Sequence, residues 1–297
     1  NHANNASILK QGQLILTGEI GGSGGDAFDC YTSSRTFTAG AGIITFKGND
    51  NPQIRNLSGE NFHHVIINST GGSSQTVETQ RDITIGGSLV ILAGTFKSYD
   101  SAVKDITVTG DVIIGESSGT ADSAVLDGNA SPIIINGGMK IDVTGKYDAT
   151  THANGTVINK YLAGGGIYAL QLIAGGTFIH NDGLVHVTGT GGYSLVIEGF
   201  SGSDVSGTDA NAFHDLKITL HASSNFVKLD PVPSSNGDTM IITGDLDIVE
   251  GKAHGNSVSD NLTVNGAVTV RDGAQLSEST SVSGTMTFGS LTIESGG

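Results

Sequence analysis

Residues 83–91 read ITIGGSLVI, and the pattern returns 23 residues later in residues 106–114 as ITVTGDVII. Superposing the two puts Ile83 on Ile106, Ile85 on Val108, Gly87 on Gly110, Leu89 on Val112 and Ile91 on Ile114. Each copy is a pair of short alternating apolar runs hinged at a glycine. A strand sends successive side chains to opposite faces, so each run has one face to bury and one to wet. A unit this short cannot bury its apolar face alone; repetition at a fixed period lets each copy cover the next.

A larger pattern surrounds this one. RTFTAGAGIITFKG (residues 35–48) matches GTFIHNDGLVHVTG (residues 176–189) at an offset of 141, with Phe37 on Phe178, Ile44 on Val185 and Gly48 on Gly189. NFHHVII (61–67) matches AFHDLKI (212–218) at 151, and ITIGGSLVILAG matches MIITGDLDIVEG (240–251) at 157. ITVTGDVII then matches LTVNGAVTV (262–270) at 156. Four blocks recur in one order while the offset drifts, which indicates a duplicated array of about 140 residues. The insertions responsible lie in GYSLVIEGF (192–200) and in the loop containing KLDPVPSSNGD (228–238). Within the second copy Gly244, Gly266 and Gly289 are spaced by 22 and 23.

That spacing predicts an all-β fold, a right-handed parallel β-helix (β-solenoid) with about 22–23 residues per turn. About thirteen turns at the ~4.8 Å strand spacing would make a rod of roughly 60 Å. A β-sandwich also uses short strands and turns, but its strands have no reason to repeat at a fixed step. Residues 1–35 are expected to cap or connect, residues 36–175 to form the first block, and residues 176–297 the second, continuous with it. The chain opens on Asn1 and stops inside what reads as another repeat, so a segment of a longer or processed protein is expected.

Composition agrees. The 297 residues include 45 Gly but only 10 Phe, 6 Tyr and no Trp, which suits many short strands joined by tight turns. No window carries amphipathic helical spacing, so helix should be scarce. A net charge of −15 disfavours nucleic acid and anionic membrane, which need clustered Lys and Arg, and instead favours solubility. No run of 18 apolar residues occurs, so no membrane insertion is expected. The single cysteine, Cys30, rules out an intrachain disulfide framework, and beside Asp29 it reads as a packed or free thiol.

Candidate chemistry is sparse. His63 and His64 sit at adjacent strand positions and should point to opposite faces, so they should not share a metal. His63 and His214 are equivalent in the two copies, which suggests a structural part of the repeat. Arg81-Asp82 and Lys104-Asp105 precede the repeated strand one period apart and should stack; they are the best place for enzymatic chemistry, and more simply a solvated strand edge. The loops LDGNAS (126–131), HNDG (180–183) and GSDVSGTDAN (202–211) could hold structural calcium, although turns need the same residues. GGG (164–166) and GTGG (189–192) lack what a phosphate loop requires. Sequons stand at Asn5, Asn56, Asn68, Asn129, Asn154 and Asn261. No catalytic, cofactor-binding or metal residue is assigned, and no cofactor is expected.

The succession TF(x)nG[IL][IV]x[FV]xG, NxFHxLxI, GDLxIxxG and LTVxGxVxI resembles the pectin-lyase-like β-helix repeats of phage virion fibres and bacterial surface adhesins, over residues 35–297. The resemblance implies a non-enzymatic structural protein of a virion: a fibre, spike or capsid decoration protein. A microbial adhesin or extracellular filament subunit is the alternative, and a β-helical polysaccharide lyase or hydrolase a third. Implied partners are copies of itself, other virion or surface proteins, and host-surface glycans. The implied location is the virion or the cell surface. The family carries no fixed catalytic motif.

Overall fold

The computed structural model describes residues 12–17, 26–29, 40–48, 51, 53–55, 61–69, 75–98, 102–119, 124–160, 168–190, 194–200, 211–221, 225–231, 238–255, 260–277 and 284–297. Among them there is no helix, and every strand pairing is parallel. The strands fall into three stacks, which the chain visits in a constant order.

The first stack runs Gln13–Leu16, Ile43–Phe46, His64–Asn68, residues 89–91, Val112–Ile114, Met139–Ile141, Tyr168–Leu172, Ser194–Glu198, Phe226–Asp230, Lys252–Gly255 and Gln275–Ser277. The second runs Asp26–Asp29, Gln53–Arg55, Thr76–Thr79, residues 94–98, Ala124–Asp127, Gly145–Asp148 and Thr177–Ile179. Hydrogen bonds between Phe178 and Asn211 and a bridge from Phe213 to Ile242 carry it on to Thr239–Ile242 and residues 261–264. The third runs Asn61–Phe62, Ile83–Ile85, Ile106–Val108, Ile133–Ile135, Thr156–Asn159, Leu184–Gly189, Asp215–Leu220, Leu246–Glu250, residues 268–270 and residues 290–293.

Strand alternation gives all three stacks one shared core. Ile83, Ile106 and Ile133 are register partners, as are Leu89, Val112 and Met139, and all of them are buried. In the second stack Phe96, Leu126, Tyr147 and Phe178 are successive partners. Phe178 then meets Phe200 at 5.3 Å and Phe213 at 5.5 Å between ring centroids, so an aromatic cluster fills this part of the core. The inward apolar side chains of the three stacks belong to one hydrophobic cluster.

The repeat is less even than its spacing suggests. Ile43 pairs with His64, 21 residues on, and Leu89 with Val112, 23 on, but Met139 pairs with Leu170, 31 on, and Ser194 with Phe226, 32 on. Longer connections therefore reduce about thirteen expected cycles to eleven strands in the first stack among the described residues. Only the strands must match in length, because only they form the ladder; the connections between them are free to grow.

The duplicated blocks also occupy different stacks. Ile83–Ile85 lies in the third stack, its sequence equivalent, residues 240–242, in the second. Residues 89–91 lie in the first stack, their equivalent in Leu246–Glu250 in the third. His64–Asn68 and Asp215–Leu220 are displaced in the same way. The second copy is thus set one stack round from the first. Each stack offers the same inward apolar row, so a given strand sequence fits any of the three.

Candidate functional site

The recurrent glycines sit where the chain passes between stacks: Gly87 and Gly110 between the third and first, Gly244, Gly266 and Gly289 between the second and third. None of the five has positive φ. Close approach explains them instead. A Cβ on Gly110 would stand 2.7 Å from the Gly87 carbonyl oxygen, and one on Gly266 would stand 2.5 Å from that of Gly244. Each glycine column begins against a histidine: a Cβ on Gly87 would lie 2.6 Å from the His64 ring, and one on Gly244 would lie 3.0 Å from His214.

This corner corrects the expectation for His63 and His64. His63 lies between two strands, not within one, and the two rings meet edge to face at 4.3 Å. Its carbonyl accepts the Gly87 N–H at 2.6 Å, as that of His214 accepts the Gly244 N–H at 2.9 Å. His64 Nδ1 accepts the Ser88 N–H at 3.0 Å. Asp215, the sequence equivalent of His64, accepts the Asp245 N–H at 2.8 Å. Imidazole and carboxylate fill the same hydrogen-bonding position in the two copies.

The other residues singled out by sequence have local partners. Asp105 donates its N–H to Asp82 Oδ1 at 3.1 Å, so the two stack as the spacing requires and the carboxylate gains a donor. Asp127 accepts the Asn129 N–H at 2.9 Å, and His180 Nδ1 accepts the Asp182 N–H at 2.9 Å, both two-residue turns. His180 and His214 lie 5.5 Å apart, with the Asp182 carboxylate 3.6 Å and 3.8 Å from them. Among the described residues no group of three or more His, Cys, Asp or Glu side chains could hold a metal ion. Asn154 is exposed in a turn, Asn129 has φ of 46°, Asn68 and Asn261 lie in strands. Cys30, Asn5, Asn56, residues 164–166 and residues 202–210 lie outside the described residues.

The most chemically suggestive arrangement is elsewhere, on the outward side of the first stack. Glu198 and Asp230 are register partners in adjacent strands, on the side opposite the core residues Ile197 and Leu229. Both are nevertheless buried, with 6% and 5% of their surface exposed. A buried charge needs hydrogen bonds or a partner. Gln171 Nε2 donates to Glu198 Oε1 at 2.9 Å, and the Tyr168 phenol also hydrogen-bonds this carboxylate. Burial, followed by the charge of Glu198, pushes the Tyr168 phenol above its ordinary value. The Phe226 and His254 rings meet at a tilt, 4.6 Å between centroids, on neighbouring strands of the same stack. Two carboxylates on adjacent strands, with an amide and a phenol beside them, can accept hydrogen bonds from a polyhydroxylated ligand.

Sequence reasoning passed over this pair. Its signal was the drifting offset: Glu198 lies in the insertion at 192–200 and Asp230 in that at 228–238. A repeat broken where polar residues become buried marks a position under a different constraint. Comparison with known proteins finds no family model, no curated protein and no solved structure that matches this chain.

Proposed function

We propose that this chain is a β-solenoid, right-handed by the crossover preference of parallel strands, serving as a non-enzymatic structural rod of a virion: a fibre, spike or capsid decoration protein. The observation that carries the reading is the register itself. Parallel pairing passes from Gln13–Leu16 to Met286–Ile293 through three stacks that share one core. The eleven first-stack strands among the described residues, at ~4.8 Å spacing, span about 50 Å. Residues 36–175 and 176–297 form one continuous scaffold in this reading, and Gln13–Leu16 and Asp26–Asp29 of the segment expected to cap or connect it already contribute strands. Self-association, other virion proteins and host-surface glycans are its proposed partners, and the net charge of −15 argues against nucleic acid. A cell-surface adhesin uses the same scaffold. Immunogold labelling with antibody to this chain separates them: label on purified virions supports the first, and label confined to cell surfaces rejects it for the adhesin.

The buried pair favours one further reading, a carbohydrate-active face. Glu198 and Asp230 lie on the same side of adjacent strands, and a pair of carboxyl groups is what glycoside hydrolysis uses. Incubation with acidic and neutral polysaccharides is the test. New reducing or unsaturated ends that disappear in Glu198→Gln or Asp230→Asn would replace the structural reading with this one.

A further inference from the structure

Most of the corner acceptors that take a backbone N–H from the following cycle are carboxylates. Asp111 accepts from Gly138 at 2.8 Å, Asp215 from Asp245 at 2.8 Å and Asp245 from Ala267 at 2.7 Å. His64 does the same for Ser88 at 3.0 Å with a ring nitrogen. The chemical difference is decisive. A carboxyl group keeps acceptor lone pairs whether or not it carries a proton, whereas an imidazolium has none. Accepting at Nδ1 requires the neutral ring with its proton on Nε2.

We propose that His64 is an acid-sensitive latch between the third and first stacks: its protonation releases the Ser88 N–H and loosens the passage at residues 86–89, while the equivalent passage at Asp215 holds. The surroundings of the ring favour such a response. On its own segment it faces His63, 4.3 Å away and of the same sign when protonated. From the preceding strand of the first stack it pairs with Ile43, and from the following cycle it packs on Gly87 and Ser88, none of which is charged. Asp111, the next acceptor in the column, is engaged by the Gly138 N–H and by Lys160 Nζ at 3.2 Å. Burial, and after it His63, hold the His64 pKa below its ordinary 6.5. A base whose folded value is depressed contributes stability that is complete above the unfolded value and is lost as pH falls below it. The window therefore opens below 6.5. His152 and His180 also accept at Nδ1, from Asn154 at 3.1 Å and Asp182 at 2.9 Å. Their donors lie two residues away in the same turn, so they close no contact between cycles.

Because the chain holds nine histidines, the test reads single amides of the intact chain. Hydrogen exchange of Ser88 and Asp245, corrected for intrinsic rate, is followed by NMR between about pH 8 and pH 5. Protection of Ser88 is expected to fall about tenfold below the window, as loss of one hydrogen bond implies, and that of Asp245 to stay level. His64→Asp should abolish the fall at Ser88. Ser88 protection that is level in the native chain, or that falls equally in His64→Asp, overturns the proposal. Should His64→Asp fail to fold, Asp215→His decides: it must transfer the acid-dependent fall to the Asp245 amide, and a level response there overturns the latch.

Discussion

The N–H of Ala267 lies 2.7 Å from the carboxylate of Asp245, the residue that begins the same passage one cycle earlier. Asp245 gives its own N–H to Asp215 at 2.8 Å, so each carboxylate serves the next cycle while its backbone is served by the last. Chain passages between stacks leave donors outside the strand ladders, and here side-chain carboxylates take them even though the bonds are exposed. A column of short acidic side chains supplies these acceptors, and this accounts for part of the acidic excess without invoking a ligand.

Asp245→Ala is therefore expected to destabilise the chain by about 1 kcal/mol, the net worth of one such bond. Asp245→Asn keeps the accepting oxygen and should lose less than half of that. Urea denaturation of the two variants beside the native chain reads the difference, and equal losses would show that the charge, not the acceptor, matters.

Gly110→Ala places a methyl 2.7 Å from the Gly87 carbonyl oxygen, where only backbone can yield. A loss of about 1–3 kcal/mol is expected from such overpacking. Among the described residues nothing lies within 4 Å of the same position on Gly255, which has no positive φ. Gly255→Ala should be neutral or stabilising by up to about 1 kcal/mol through the unfolded chain. Thermal melts that rank the two the other way would contradict the close-approach account.

Leu89 is fully buried between its register partners Val65 and Val112. Leu89→Ala is expected to lose about 2–5 kcal/mol. Leu89→Asp puts an uncompensated charge into the shared core and should prevent folding. A soluble, protease-resistant Leu89→Asp protein with a native far-UV spectrum would contradict the core assignment.

Tyr147 is buried with its hydroxyl on Thr156, and desolvation above all holds its phenol well above the ordinary 10.0. An acid whose folded value is raised contributes stability that is complete below the unfolded value and is lost as pH rises past it. Stability should accordingly decline above about pH 10, and Tyr147→Phe should flatten that decline. Denaturation midpoints across alkaline pH check this, with ultraviolet absorbance reporting which phenols ionise while the chain is folded.

Residues 83–91 show where sequence is sufficient and where it is not. The alternation of Ile83, Ile85, Leu89 and Ile91 is the burial pattern of the folded chain, because a strand has only two sides and one of them is apolar. Gly87 was legible as a passage between strands. The reason for it, a carbonyl and a histidine ring from another cycle within contact of any Cβ, lies 23 or more residues away and has no local signature. The adjacent histidines illustrate the opposite error. Their spacing predicts divergence only if both are in one strand, and the chain bends between them.

The sequence by itself determined the strands, their inward rows and the duplication, since all three follow from local periodicity and self-similarity. Tertiary structure alone decided which stack each copy occupies, how many cycles the insertions leave, and that Glu198 meets Asp230 and His64 meets Ser88. Inward apolar rows are interchangeable, so they specify that strands stack but not on which side. Connection length leaves no mark on the strands it joins. Contacts between successive strands of a stack depend on both, and become visible only in the folded chain.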